Sequence, residues 1–169
     1  MIHKLIVLLL FCTSSIFTLK THAFLHLEAG VGYNHGHYEV QKAQGIGWSG
    51  KLGIQLSHFF ILADAGVHDL QLIHVPNAEY TDFGIAAGIE LRGWRIWITQ
   101  ILNTELKINN TTSTTQLTGE GLKIGLSGRL ASSLFINLES RFIEFNESNK
   151  IPTSQIMDLS FLSLSWVLL

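Results

Sequence analysis

Leu25-His26-Leu27-Glu28-Ala29-Gly30-Val31-Gly32-Tyr33-Asn34 alternates at period two, with Leu25, Leu27, Ala29, Val31 and Tyr33 on one face and His26, Glu28, Gly30, Gly32 and Asn34 on the other. A strand with faces this different sits between two different solvents, and hydrocarbon against a packed polar lumen is one such pairing. Seven further stretches behave alike. In the second, Ile46, Trp48, Leu52, Ile54 and Leu56 oppose Gly47, Ser49, Lys51, Gly53, Gln55 and Ser57; in the third, Phe59, Ile61, Ala63, Ala65 and Val67 oppose Asp64, Gly66 and His68. The fourth sets Phe83, Ile85, Ala87, Ile89 and Leu91 against Asp82, Gly84, Ala86, Gly88, Glu90 and Arg92. The fifth, Trp94, Ile96, Ile98 and Leu102 against Arg95, Trp97, Thr99 and Ile101, alternates least cleanly.

The sixth opposes Leu122, Ile124, Leu126 and Leu130 to Gly121, Lys123, Gly125, Ser127 and Arg129, and the seventh Leu134, Ile136, Leu138 and Phe142 to Asn137, Glu139 and Arg141. The last begins with Met157, Leu159 and Phe161 against Asp158 and Ser160, then changes phase to Leu162, Leu164 and Trp166 against Ser163 and Ser165. One extra residue would do this, so a bulge is predicted near Phe161. Tight turns are expected near residues 58, 93 and 132, and longer loops over about His35 to Gln44, Asp69 to Tyr80, Asn103 to Thr118 and Asn146 to Gln155. Pro76 and Pro152 fall between the alternating segments, which suits an uninterrupted ladder. The pattern predicts an all-β fold, an eight-stranded antiparallel up-and-down barrel crossing a membrane, with short periplasmic turns and longer extracellular loops.

Met1-Ile2-His3-Lys4, the apolar run Leu5 to Phe11 and the closing Thr21-His22-Ala23 read as a secretory leader cleaved after Ala23, which leaves one barrel domain over residues 24 to 169. Cys12 follows Phe11, where a lipid-attachment site needs a small residue, and no cysteine occurs beyond it. An exported domain without disulfides needs a large core or a membrane to hold it. Of the 11 basic residues Lys4 and Lys20 leave with the leader, while all 13 acidic ones remain. No basic cluster or stripe marks a nucleic-acid partner.

Parity alone leaves open which face is outside, since a periplasmic lipocalin-like ligand carrier inverts the same arrangement. The polar face decides for the membrane. It holds Gly30, Gly32, Gly47, Gly53, Gly66, Gly84, Gly88, Gly121 and Gly125, useful where a small lumen is crowded. Its charges balance, with Glu28, Asp64, Asp82, Glu90, Glu139 and Asp158 against Lys51, Arg92, Arg95, Lys123, Arg129 and Arg141. A neutral ion network filling the lumen, with no general pore, is the expected arrangement. Tyr33, Trp48, Phe59, Phe83, Trp94, Phe142 and Trp166 stand near strand ends on the apolar face, as interfacial girdles do.

With its strand count, its order of turns and loops, its lumen charges and openings such as Gly30-Val31-Gly32-Tyr33-Asn34, the chain resembles the small eight-stranded outer-membrane barrels of Gram-negative bacteria, the class of the OmpA transmembrane domain and the OmpX-type proteins. The resemblance covers nearly all of residues 24 to 169. It implies an outer-membrane location, lipid and lipopolysaccharide around the barrel, and insertion by the barrel-assembly machinery. The carboxyl end, Trp166-Val167-Leu168-Leu169, departs from the aromatic residue on which such barrels generally finish.

Function then falls to the surface: a structural or adhesin-like role, with the Asn109 to Thr115 stretch the strongest candidate contact for an extracellular ligand. A lipid-modifying enzyme of this class needs a His and a Ser two apart on one strand face, with a carboxylate to orient the imidazole. The mature chain has no His-x-Ser, and Ser57-His58 is adjacent and sits in a predicted turn, so no catalytic residue is assigned. No cofactor or metal is expected; the weak metal candidates are His35, His37, His68 and His74, imidazoles that a convergence of loops would have to gather.

Overall fold

The computed structural model describes residues 23–72, 75–109, 114–146 and 155–168. The expected leader up to residue 22, His74, Pro152 and Leu169 lie outside the described residues. The described residues form eight strands and no helix: β1 (Ala23–Tyr38), β2 (Gln41–Leu56), β3 (Phe59–Leu72), β4 (Val75–Leu91), β5 (Trp94–Asn109), β6 (Thr114–Arg129), β7 (Leu134–Asn146) and β8 (Gln155–Val167). Each pairs antiparallel with its sequence neighbours, and β1 pairs with β8 from Glu28↔Val167 to Tyr38↔Met157, which closes the barrel. Closure removes the sheet edges that would otherwise seek partners.

Three expected loops are mostly strand. The first shrinks to Glu39-Val40, because Tyr38 pairs with Gln41 and the ladder runs up through His35↔Gln44 and His37↔Lys42. The second is largely taken up by β3 to Leu72 and β4 from Val75, with Pro76 inside β4; the third by β5 to Asn109 and β6 from Thr114. A 16-residue strand such as β1, at about 3.3 Å per residue and about 40° of tilt, reaches about 40 Å along the axis, against an apolar band of about 25 Å. The strands are therefore longer than such a band needs, and their parts beyond it form a collar. Exposed residues there become polar while the inside becomes apolar, so parity is kept and character inverts.

That inversion corrects the expected bulge. Met157, Leu159, Phe161, Ser163 and Ser165 all point inward and Asp158, Ser160, Leu162, Leu164 and Trp166 outward, and β8 pairs with β1 and β7 without a register shift. The true bulge lies in β5. Gly84 pairs with Ile101 and Phe83 with Asn103, while across β6 the register jumps from Ile101↔Gly121 to Thr104↔Gly119. Arg95, Trp97, Thr99 and Ile101 face in before it, Thr104, Leu106 and Ile108 after it. The ladder between β3 and β4 is also irregular near Leu70 and Leu72.

Two apolar clusters fill the interior, one above the charges and one among them. The collar core includes Tyr38, Leu70, Tyr80, Leu106, Phe145 and Met157; the one nearer the turns is Phe60, Leu62, Ala86 and Trp97. Trp97 faces in because β6 offers Gly125 beside it, where any Cβ would overlap the indole. The imperfect alternation of β5 is thus a packing requirement. Outside, exposed aromatics form two tiers, with Phe59, Trp94 and Trp166 near the turns and Tyr33, Trp48, Phe83 and Phe142 toward the collar.

Candidate functional site

The lumen charges divide into two sets at different heights. The central set is built on β7, where Glu139 and Arg141 are two apart and so share the inward face. Glu139 accepts from Lys51 Nζ at 2.8 Å and from Arg141 at 2.9 Å. Lys123 Nζ lies 3.1 Å from Asp64, 3.2 Å from Asp82 and 3.9 Å from Glu139. Three carboxylates thus meet three cations, all buried. Neutral hydrogen-bond partners complete the set: Thr99 donates to Asp64 at 3.0 Å, and Arg141 donates to Asn34 at 3.2 Å and stands 2.9 Å from His68 Nε2. Lys51 lies over the Trp97 ring at 4.9 Å and Arg141 over Phe161 at 4.7 Å.

The second set stands nearer the turns. Arg95 bridges Glu28 at 2.8 Å and Glu90 at 2.9 Å, its guanidinium 3.6 Å from the Phe135 ring centre. Glu28 also takes hydrogen bonds from Ser165 at 2.6 Å and from His26 at 3.0 Å. Arg129, partly exposed, pairs with Glu90 at the rim. Each set is neutral when its histidines are uncharged, the condition under which buried ions are tolerable. Between them, the cavity bounded by His26, Glu28, Lys51, Phe60, Leu62, Arg95 and Trp97 offers about 10 Å³, about the minimum for one water.

Two residues expected in the lumen lie elsewhere. Arg92 is exposed in the turn after β4 with φ 53°, because the chain reverses at Arg92-Gly93 before the inward position is reached. Asp158 faces outward on the collar, 3.7 Å from His37, because β8 keeps one parity throughout. Asn34, Thr99, Ser165 and the ring platforms Phe135 and Phe161 belong to the lumen sets although sequence reading left them out; shared inward parity is the signal that marks most of them.

Of the metal candidates, His68 is buried against Arg141 and Asn34, away from the collar surface. His35 and His37 stand exposed on the outer face of β1. No group of three or more His, Cys, Asp or Glu able to hold a metal occurs among the described residues. Ser57 Oγ lies 2.9 Å from His58 Nδ1 in the exposed turn after β2, and His58 meets no carboxylate side chain among the described residues.

Among the described residues the collar's outer surface is acidic, with Glu39, Asp69, Glu79, Glu105, Glu120, Glu144 and Asp158 against Lys42 and Lys107. Across β1 to β5 it carries a concave face of about 680 Å³ bounded by Tyr33, Gln44, Ile46, Asp69, Gln71, Asn77, Glu79 and Asn109. Asp69 and Glu79 stand directly opposite each other there. Side-chain amides and carboxylates on a rigid sheet offer many hydrogen-bond acceptors and donors to a polar partner.

No family model matches the sequence, and no curated protein matches it. Among solved structures, Neisserial surface protein A is similar in fold, with 12% identity and a TM-score of 0.58 over 86% of this chain and 98% of that one. Ail, the attachment invasion locus protein of Yersinia pestis, solved with the heparin analogue sucrose octasulfate, is 8% identical with a TM-score of 0.57 over 85% of this chain and 98% of that one. Ail in a phospholipid bilayer nanodisc gives 0.52 at 8% identity, over 85% of this chain and 99% of that one. At these identities the likeness concerns the fold: a closed eight-stranded antiparallel barrel of the small outer-membrane type.

Proposed function

We propose that the chain is an integral outer-membrane barrel, exported by a leader ending near Ala23, that fills its own lumen and presents an acidic, amide-rich collar to the exterior as a surface for contact with other molecules. The carrying observation is the exposed apolar belt, in which Trp48 at 63% and Ile61 at 61% exposure stand beside the buried ion pairs of the lumen. Soluble proteins rarely leave so large a continuous apolar surface uncovered. In a lipocalin-like carrier the apolar face would line a cavity instead. The lumen has no room for a diffusion pore, so activity belongs to the collar and belt. Lipid and lipopolysaccharide cover the belt, and the barrel-assembly machinery inserts it.

The fold shared with a surface protein and an attachment protein agrees with a surface role. The sulfated ligand in the Ail structure does not transfer: among the described residues seven carboxylates against two lysines repel a polyanion, so the partner of this collar is cationic or neutral. The test is electrophoresis of the outer-membrane fraction with and without boiling. A band in that fraction whose migration shifts on heating is expected. A soluble periplasmic protein with no shift would overturn the reading.

A further inference from the structure

At the turn end of the belt the outer surface holds a cavity of about 360 Å³ across β5, β6 and β7, bounded by Arg92, Trp94, Gly128, Arg129, Leu130 and Ile136. Its floor is apolar and continuous with the belt. The Trp94 indole spreads over Gly128, where a Cβ would come within 3.3 Å of the ring. Gly93 (φ 85°) lets the turn fold against β6, and its carbonyl accepts the Arg129 backbone N–H at 2.8 Å. One lip is thereby fixed, and Arg92 stands on it.

Among the described residues the charges at this end do not balance: Arg92, Arg95 and Arg129 stand here against Glu28 and Glu90. Both carboxylates are taken by Arg95 and Arg129, and Arg92 makes no ion pair among the described residues. One guanidinium beside an interfacial indole and an apolar groove calls for an amphiphile with a negative head. Arginine's planar fork matches a phosphate in two hydrogen bonds, and basic pockets at a membrane interface recognise anionic head groups.

Building on the membrane reading above, we propose that this cavity is a binding site for an anionic glycerophospholipid of the turn-side leaflet. Arg92, supported by Arg129, holds the phosphate, and Trp94, Leu130 and Ile136 carry the start of an acyl chain. A zwitterionic lipid brings its own cation to the same place and is disfavoured.

The test embeds the full chain in nanodiscs of equal phosphatidylglycerol and phosphatidylcholine, releases it into mild detergent and analyses the retained lipid by native mass spectrometry. The wild-type protein retains phosphatidylglycerol with about fivefold enrichment. Arg92→Asn, a residue that suits the positive φ, drops to the bulk ratio. Arg92→Lys keeps most of the enrichment, and Lys42→Gln on the collar keeps all of it. Enrichment in the wild-type protein falls as salt rises from about 50 to about 500 mM, as an exposed guanidinium requires. Equal retention of both lipids, an unchanged ratio in Arg92→Asn, or enrichment indifferent to salt overturns the site while leaving the membrane barrel standing. Failure to enter any bilayer overturns the membrane reading and the site with it.

Discussion

Glu139 and Arg141 occupy alternate positions of one strand and pair with each other, and their other charged neighbours are Lys123 on the adjacent β6 and Lys51 and Asp82 from farther round the barrel. Such a set is worth little compared with apolar packing of the same volume, yet removing one member leaves a buried charge without its partner. Arg141→Ala strips Glu139 and Asp82 of a cation and leaves Asn34 and His68 facing a void. Its folded barrel in detergent is expected to lose about 3 to 5 kcal/mol, measured by urea unfolding. Lys107→Ala, which breaks the exposed 3.1 Å pair with Glu105, is the comparison and should cost under about 1 kcal/mol. Equal losses in the two would remove the distinction between filled lumen and solvated collar. Five of the six acids and five of the six bases expected inside were legible in the sequence because parity assigns a side chain to a face. Where on that face a charge lies was not, and Arg92 and Asp158 show the difference: one sits past the end of its strand, the other above the belt.

On the scale of the strand, the β5 bulge keeps the collar coherent. Without the bulge a regular β5 would carry the inward parity of Ile101 on to Asn103, Glu105 and Lys107 and turn Leu106 and Ile108 out to water, since a one-residue slip exchanges the faces. Deletion of Leu102 removes the extra residue and leaves Thr104, Leu106 and Ile108 on the inward parity, so it should retain the heat-modifiable folded band, whereas deletion of Ile98 makes Trp97 and Thr99 neighbours, turns one of them outward and should abolish it. A Leu102 deletion that loses the band would show that the bulge does more than set the phase. The membrane part of each strand could be read from sequence because hydrocarbon outside and ions inside give a single sustained contrast. The collar could not, for two reasons. Its outward Asn, Thr, Gln and Glu have the composition of a loop, which hid the ends of β5 and β6. Its inward Met157, Leu159 and Phe161 look like lipid-facing residues in a sequence that carries parity but no height, and this made an unbroken β8 look bulged.

Taken as a whole, the molecule is layered along its axis: turns with an unbalanced arginine, a belt enclosing neutral ion sets, and a collar with an apolar core and acidic skin. The collar field favours cationic partners and repels polyanions, more so at low ionic strength. The nanodisc-embedded protein is expected to bind oligolysine in low-salt buffer, to release it as salt rises, and to leave heparin unbound. Capture of heparin with no affinity for oligolysine would show that residues outside the described collar set the surface charge.

For the proposed membrane barrel the collar also gives entry into a bilayer a direction. Among the described residues the leading end carries three short reversals, at Ser57-His58, Arg92-Gly93 and Leu130 to Ser133, beside the outer ends of β1 and β8. The trailing end would have to drag seven carboxylates and a ring of amides from the described residues alone. The barrier is lower for threading turns first, which brings every copy to rest with the same end outward. On that reading orientation is set by the path of insertion, before any partner has been met.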